Sequence, residues 1–448
     1  MERNLTTGSV FKNITYFSLP YLLSYFLQTL YGMADLFIIG QFENGVAGTT
    51  AVSIGSQVMH MITVMIVGLA MGTTVTIAQA VGGNDKKRTS SAIGNTVTLF
   101  LYVSVVLMAV LIFFVRPITG LMSTPSEAVE GTVQYLTICF IGIPCITAYN
   151  IISSVFRGLG DSKSPMYFIA VACGANIILD YLFMGVLNLG PSGAALGTTL
   201  SQAVSVIMAL IFIHKKDMGI SFGRKDCILK KDVLGQILRI GIPVALQDGF
   251  IQISFIVITV IANRRGLSDA AAVGIVEKII SFLYLVPSSM LSTVSAVCAQ
   301  NIGAGKQDRA DETLRYAMMI TVIFGVIITV LIQIVSEQAV SLFTSDRDVI
   351  ILGGQYIRGY IWEIIFAGIH FCFIGYLCAI GISVVSFIDN FISIVFVRIP
   401  GAYFMSKLFP HTLFPMGLAT TAGSFVSVII CIGVFMYLKK KRAIKAAV

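Results

Sequence analysis

The chain has 448 residues, 56% hydrophobic and 12% charged, with a mean hydropathy of +0.89 and a net charge of +8. A soluble domain is about 45–50% apolar and about 25% charged, so a water-soluble globule is excluded and an all-α polytopic membrane protein is expected. No HExxH, phosphate-binding glycine–lysine loop or GxSxG occurs, which leaves an ATP-driven pump or a membrane hydrolase without local support.

Helix 1 organises the reading. The stretch 19–40, LPYLLSYFLQTLYGMADLFIIG, is apolar, with Pro20 near its start and Asp35 near its end. A charge inside a membrane helix costs about 2.5–3.5 kcal/mol on insertion scales. Such a residue either binds or carries something, or bonds a neighbouring helix.

Twelve runs are long enough to cross a hydrocarbon layer of about 30 Å. They are 14–40, 52–81, 93–115, 132–156, 165–187, 192–214, 236–262, 273–302, 313–335, 355–380, 384–407 and 414–438. The connections are short except for 215–235, which is polar and basic. It separates an amino-terminal lobe, 1–214 with helices 1–6, from a carboxy-terminal lobe, 236–448 with helices 7–12. The first residues, MERNLTTGSVFKN, are polar, and no removed signal peptide is expected.

Loop charge gives the orientation. Counting loops and helix ends, 22 lysines and arginines fall on the side of both termini and the 215–235 linker, against 6 on the other. Both termini are therefore expected in the cytoplasm, in the plasma membrane of a prokaryote. The net charge of +8 is mostly this topology signal. No basic patch is interleaved with exposed aromatics, so no nucleic-acid partner is expected.

The two halves resemble each other. A shift of 221 takes AQAVGGNDKKR (78–88) onto AQNIGAGKQDR (299–309), and Gln134-Tyr135 onto Gln355-Tyr356. A shift of 224 takes PSGAALGTT (191–199) onto PMGLATTAG (415–423). Six is even, so the halves form a parallel repeat about an axis along the membrane normal. Shared apolar composition can mimic such matches, but the polar coincidences Gln79/Gln300 and Arg88/Arg309 argue against it.

Helix direction then gives depth. Asp35 in helix 1, Asp180 in helix 5 and Thr198 in helix 6 all lie near outer helix ends, with Asn176 one turn below Asp180 on the same face. At 1.5 Å per residue they fall within about one or two turns of a common level. Two carboxylates, an amide and a hydroxyl there suit a proton or a sodium ion. Gln28 lies two turns below Asp35. The second half carries a different set, Asp248, Glu363 and Arg398, which reads either as an internal ion pair or as a substrate or second-ion site. Pro20 and Pro243 lie in the first third of helices 1 and 7, as static kinks or as hinges.

The eight cysteines sit in apolar runs except Cys227 and show no metal-ligand spacing, so they read as small core residues. The four histidines, His60, His214, His370 and His411, are scattered.

In these features the chain resembles the multidrug and toxic compound extrusion family, in its prokaryotic branch with an aspartate in helix 1 (DNA-damage-inducible protein F-like). The resemblance covers essentially the whole chain. It rests on Pro20 with Asp35, the AQAVGG and AQNIGAG helix ends, FRGLGDSKSPM (156–166), NIILDYLF (176–183), GPSGAALGTTLSQ (190–202) and RIPGAY (398–403). It implies two six-helix lobes around a central cavity and export of amphipathic, often cationic compounds in antiport with H⁺ or Na⁺. Carried over, the cation site is Asp35, Asn176, Asp180 and Thr198, and helix 1 bends around Pro20. A carboxy-lobe site with a glutamate in helix 7 is not clearly matched, since Asp248 lies only five residues beyond Pro243.

The expected protein is thus a transporter and not an enzyme, needing no cofactor beyond its coupling ion, working as a monomer in a lipid bilayer. The alternative is a lipid-linked oligosaccharide flippase of related fold. Against it stand the twelve helices and a single clear deep arginine, Arg398. A lipid-modifying membrane enzyme is the more distant alternative.

Overall fold

The computed structural model describes residues 4–42, 46–215 and 223–447. Arg3, Lys216 and the rest of 216–222 in the expected linker lie outside them. Among the described residues, ten helices are long and apolar enough to cross a membrane, and two bent pairs bring the number to twelve.

In chain order the first six are α1 (Val10–Phe42), α2 (Val46–Gly82), α3 (Lys86–Phe113), α4 (Val129–Ile141 with Ile143–Gly158), α5 (Lys163–Val186) and α6 (Gly190–Lys215). The second six are α7 (Lys231–Asn263), α8 (Leu267–Gly303), α9 (Gln307–Ser341), α10 (Arg347–Tyr360 with Glu363–Ala379), α11 (Ser383–Leu408) and α12 (Phe414–Ala447). A short helix, Val115–Leu121, joins α3 to α4. With no water to satisfy the backbone, a chain this apolar closes its hydrogen bonds within helices.

The departures from straight helices have local causes. α4 bends by 48° at Gly142, where Pro144 opens the following segment and supplies no backbone donor. α10 bends by 42° between Tyr360 and Glu363, with no proline at the break. α9 has non-helical dihedrals at Val335, where its apolar run gives way to polar residues. α1 runs unbroken through Pro20 and α7 through Pro243, so neither proline terminates its helix. α5 ends in a π-helical turn, Tyr181–Val186, and α11 contains another, Ser393–Arg398. Such turns are often found beside functional groups.

The repeat reaches the level of single turns. α2 ends with Asn84 at φ 54°, and α8 ends with Gly305 at φ +71°. At both ends an amide reaches back five residues, Asp85 N to Ala80 O and Lys306 N to Asn301 O. The same reach recurs beyond Gly160 (φ 90°) and Gly381 (φ 80°), as Asp161 N to Phe156 O and Ile382 N to Leu377 O. This is the Schellman-type ending, in which a left-handed residue lets two amides satisfy carbonyls of the last turn. Both pairs of left-handed residues are separated by the shift of 221 found in the sequence.

The chain forms two compact units. One is built mainly on Thr15–Ala245, together with Met1–Gly8 and Ala299–Lys306. The other comprises Ser9–Ile14, Leu246–Cys298 and Gln307–Val448. Inside a membrane, helices associate through close packing more than through the hydrophobic effect, so small residues set the approach. In the first unit the ends of α2 and α8 cross at Gly82 and Gly303. A Cβ on Gly82 would stand 1.9 Å from Gln300 O, and one on Gly303 would stand 2.0 Å from Gln79 O. The two repeat-related glutamines are tied down here. Gln79 Oε1 accepts from Gln236 Nε2 at 2.6 Å, and Gln300 Nε2 donates to Gly158 O at 3.1 Å. The first unit's core includes Ile38, Ile39, Val52, Leu136 and Phe140. The second's includes Ile258, Val273, Val276, Tyr356 and Ile364.

Candidate functional site

α1, α5 and α6 bring the first site together. Asp35, Asn176, Asp180 and Thr198 are 3%, 0%, 0% and 7% exposed, too little for water to solvate a charge. Thr198 Oγ1 donates to Asp35 Oδ2 at 2.9 Å. Asp180 and Asn176 adjoin Asp35. Gly197, one residue before Thr198, makes room for Asp180, since a Cβ there would stand 2.0 Å from Asp180 Oδ1. The π-helical turn begins at the residue after Asp180.

The polar atoms of this cluster are mostly unsatisfied. Asp35 Oδ1, both carboxylate oxygens of Asp180, and both Oδ1 and Nδ2 of Asn176 are buried without a hydrogen-bond partner. No ion pair is present for Asp35 or Asp180 among the described residues. A buried carboxylate without a partner carries a large desolvation cost unless it is neutralised. A proton on either carboxyl meets that demand, and so does a monovalent cation among the oxygens. Four oxygens from Asp35, Asp180 and Asn176 await a partner, a donor set of hard oxygen ligands suited to Na⁺.

Sequence reasoning did not single out Tyr31 and Gln202. Tyr31, one turn before Asp35, brings its hydroxyl toward Gln202 and Thr198. Gln202 is 6% exposed and its Oε1 has no partner. Their spacing, four residues from Asp35 and four from Thr198, was the available signal. Gln28 is half-buried near Tyr149, and Pro20 is buried, its carbonyl accepting from Ser24 Oγ at 2.8 Å.

The second unit assembles a different centre on α8, α10, α11 and α12. Glu363 opens the second segment of α10, where the helix N-terminus favours an acidic group. Its Oε1 accepts from Tyr284 Oη at 2.5 Å, Ser424 Oγ at 3.1 Å and Arg398 Nη1 at 3.3 Å. Arg398 Nη2 also donates to Tyr360 Oη at 2.7 Å, and its guanidinium lies 4.9 Å from the Phe255 ring. Of the two expected acidic partners for Arg398, the structure therefore selects Glu363. Asp248 is only half-buried and makes neither a hydrogen bond nor an ion pair with Arg398. Deeper in the same unit, His370, Asp389 and Cys431 cluster, three residues that the sequence left scattered.

Comparison with known proteins decides the family. The MatE family model matches the chain twice, over residues 20–182 and 243–404.

The chain belongs to the MatE family.

It is accordingly a multi-pass membrane transporter and not an enzyme, and the double match falls on the two halves that the sequence repeat relates. The "Probable multidrug resistance protein YpnP" of Bacillus subtilis (strain 168) is 30% identical over 398 residues, covering 89% of this chain and 88% of that protein. The "Probable multidrug resistance protein YoeA" of the same organism is 26% identical over 443 residues, covering 97% of this chain and 96% of that one. A crystal structure described as "MATE in complex with MaL6" shares the fold with a TM-score of 0.90 and 21% identity, covering 99% of each chain.

Proposed function

We propose that this MatE protein exports amphipathic, cationic small molecules in exchange for inward H⁺ or Na⁺, by alternating access, with the coupling cation held by Asp35, Asn176, Asp180 and Thr198. The observation that carries the reading is the buried pair of carboxylates with no cationic side chain paired to either among the described residues, beside an amide whose polar atoms are also unpartnered there. Such a cluster is costly when empty of compensating charge and is relieved by a proton or a cation. The two Bacillus relatives are named as probable multidrug resistance proteins, which supports drug efflux as the kind of transport.

Pro20 serves as the hinge of α1. It donates no backbone N–H, so the helix is least supported a few residues from it. Cation binding favours whichever arrangement of α1 completes the Asp35 cluster, and the gain is limited to the difference in affinity between the two arrangements. The helices group as lobes 1–214 and 236–448 joined by the 215–235 linker, with both termini cytoplasmic, in the branch of the family that carries an aspartate in helix 1. A single chain in the plasma membrane is the working unit.

The test uses purified protein in liposomes with a fluorescent cationic dye. Proton and sodium gradients are imposed separately on the wild type and on Asp35→Asn. One gradient is expected to drive dye movement in the wild type, identifying the ion, and the variant is expected to lose it. Equal dye movement by the variant would make Asp35 a helix-to-helix contact and refute the coupling site.

A further inference from the structure

Three residues that share no sequence motif meet inside the second unit. His370 lies on α10, Asp389 on α11 and Cys431 on α12, and they are 4%, 1% and 1% exposed. His370 Nε2 is 2.8 Å from Asp389 Oδ2, and Cys431 Sγ is 3.3 Å from that same oxygen. All three donor atoms lie within 4.8 Å of one another. Asp389 Oδ1 is buried with no hydrogen-bond partner, and so are Ser386 Oγ one turn earlier on α11 and Ser427 Oγ one turn earlier on α12. His370 and Ser427 also line a small cavity of about 30 Å³, with Glu363 and Arg398 further along its wall.

We propose that His370, Asp389 and Cys431 bind a divalent transition-metal ion, Zn²⁺ by the character of the donors. An imidazole nitrogen, a carboxylate oxygen and a thiolate sulfur form a mixed set that suits a borderline-soft ion. Mg²⁺ and Ca²⁺ prefer oxygen alone. Metal–ligand bonds of about 2.0–2.3 Å at tetrahedral angles place the donors about 3.3–3.7 Å apart. The observed separations of 2.8 and 3.3 Å reach that geometry with a small side-chain shift. The cavity has room for a water molecule, which needs about 10–15 Å³, and that water completes four-coordination.

Charge favours the same assignment. One Zn²⁺ with a carboxylate, a thiolate and a neutral imidazole sums to zero, as an apolar span demands. On binding, the S–H bond of Cys431 breaks as the Zn–S bond forms, and the thiol proton leaves through the cavity to bulk solvent. The proton between His370 Nε2 and Asp389 Oδ2 moves to His370 Nδ1, which leaves a neutral imidazole with Nε2 free to ligate. A hydrogen-bonded trio, with the Cys431 thiol donating to Asp389 Oδ2 beside His370, accounts for those two contacts. It leaves Asp389 Oδ1, Ser386 Oγ and Ser427 Oγ buried around the cluster without a partner. The inference does not depend on the transport reading, because it concerns different helices and is read without a gradient.

The test uses full-length protein without a polyhistidine tag, stripped with chelator in detergent and titrated with Co²⁺ alone. One equivalent per chain is expected, with thiolate-to-cobalt absorption in the near ultraviolet, tetrahedral bands in the visible, and loss of both on adding Zn²⁺. Losing a partner of a ligand already weakens metal sites about 10–100-fold. Cys431→Ser is therefore expected to abolish the near-ultraviolet band and weaken binding at least that much, and His370→Gln to weaken it similarly. Monodispersity and helical content check that each variant is folded, and the wild-type titration decides the existence of the site by itself. No thiolate band in the wild type would reduce the cluster to a hydrogen-bonded trio and overturn the proposal. So would a band unchanged in both variants, which would place the metal elsewhere.

Discussion

The two buried acidic centres lie one in each half of the repeat and solve opposite problems. In the second unit, Glu363 has a guanidinium, a phenol and a hydroxyl on one oxygen, so its charge is compensated by the protein itself. In the first unit, Asp35 receives one hydroxyl and Asp180 none, so compensation is left to something that comes and goes. Duplication thus preserved the helices and their turns while the electrostatics diverged. A closed ion pair holds a structure together, whereas an open pair of carboxylates can exchange its counterion.

That contrast can be broken most sharply at Arg398. Arg398→Met leaves Glu363 buried and unpaired, which should cost about 3–5 kcal/mol, read as a lowered unfolding midpoint in detergent. Adding Glu363→Leu should recover most of the loss, and a failure to recover would mean that the pair is not self-compensating. Asp35→Asn should by comparison leave the midpoint nearly unchanged or raise it. Next in size is Gly82→Val. A side chain there meets a backbone carbonyl and should destabilise by about 1–3 kcal/mol, with the same measurement as readout. Unchanged stability would show that the α2–α8 crossing is not tight.

Two smaller effects sharpen the first site. Gly197→Ala pushes on Asp180 without removing any polar group. It should weaken the apparent affinity for the coupling cation about tenfold, or about 1.4 kcal/mol, in a cation-concentration series of dye transport. An unaltered series would detach Asp180 from coupling. Thr198→Val removes one hydrogen bond to Asp35 and should cost about 1 kcal/mol, about fivefold in the same series. If it matched Asp35→Asn, the hydroxyl would be a principal ligand and not a support.

Much of this was readable from residue order. The spans follow from unbroken apolar length, and the convergence of Asp35 with Thr198 follows from helix direction and a rise of 1.5 Å per residue. The shift of 221 aligned the helix ends that carry Asn84 and Gly305, but their left-handed geometry was seen only in the structure. Other features depend on how helices rotate about their own axes, which hydropathy does not encode. Nothing in the sequence chose Glu363 over Asp248 as the partner of Arg398. Nothing joined His370, Asp389 and Cys431, because each comes from a different helix. The bend at Gly142 had a proline beside it, but the bend after Tyr360 had none.

The π-helical turns carry a consequence for ancestry. A turn of this kind is equivalent to one residue inserted into an α-helix and absorbed without breaking it. Because successive residues are about 100° apart around the axis, everything beyond such an insertion faces a different direction from its counterpart in an uninterrupted relative. In α5 the insertion follows Asp180, and in α11 it ends on Arg398. Homologues lacking either turn should therefore show a one-residue alignment gap beside these two charges. A single deletion there would re-aim Arg398 in α11 and, in α5, the residues that follow Asp180, without altering their identity.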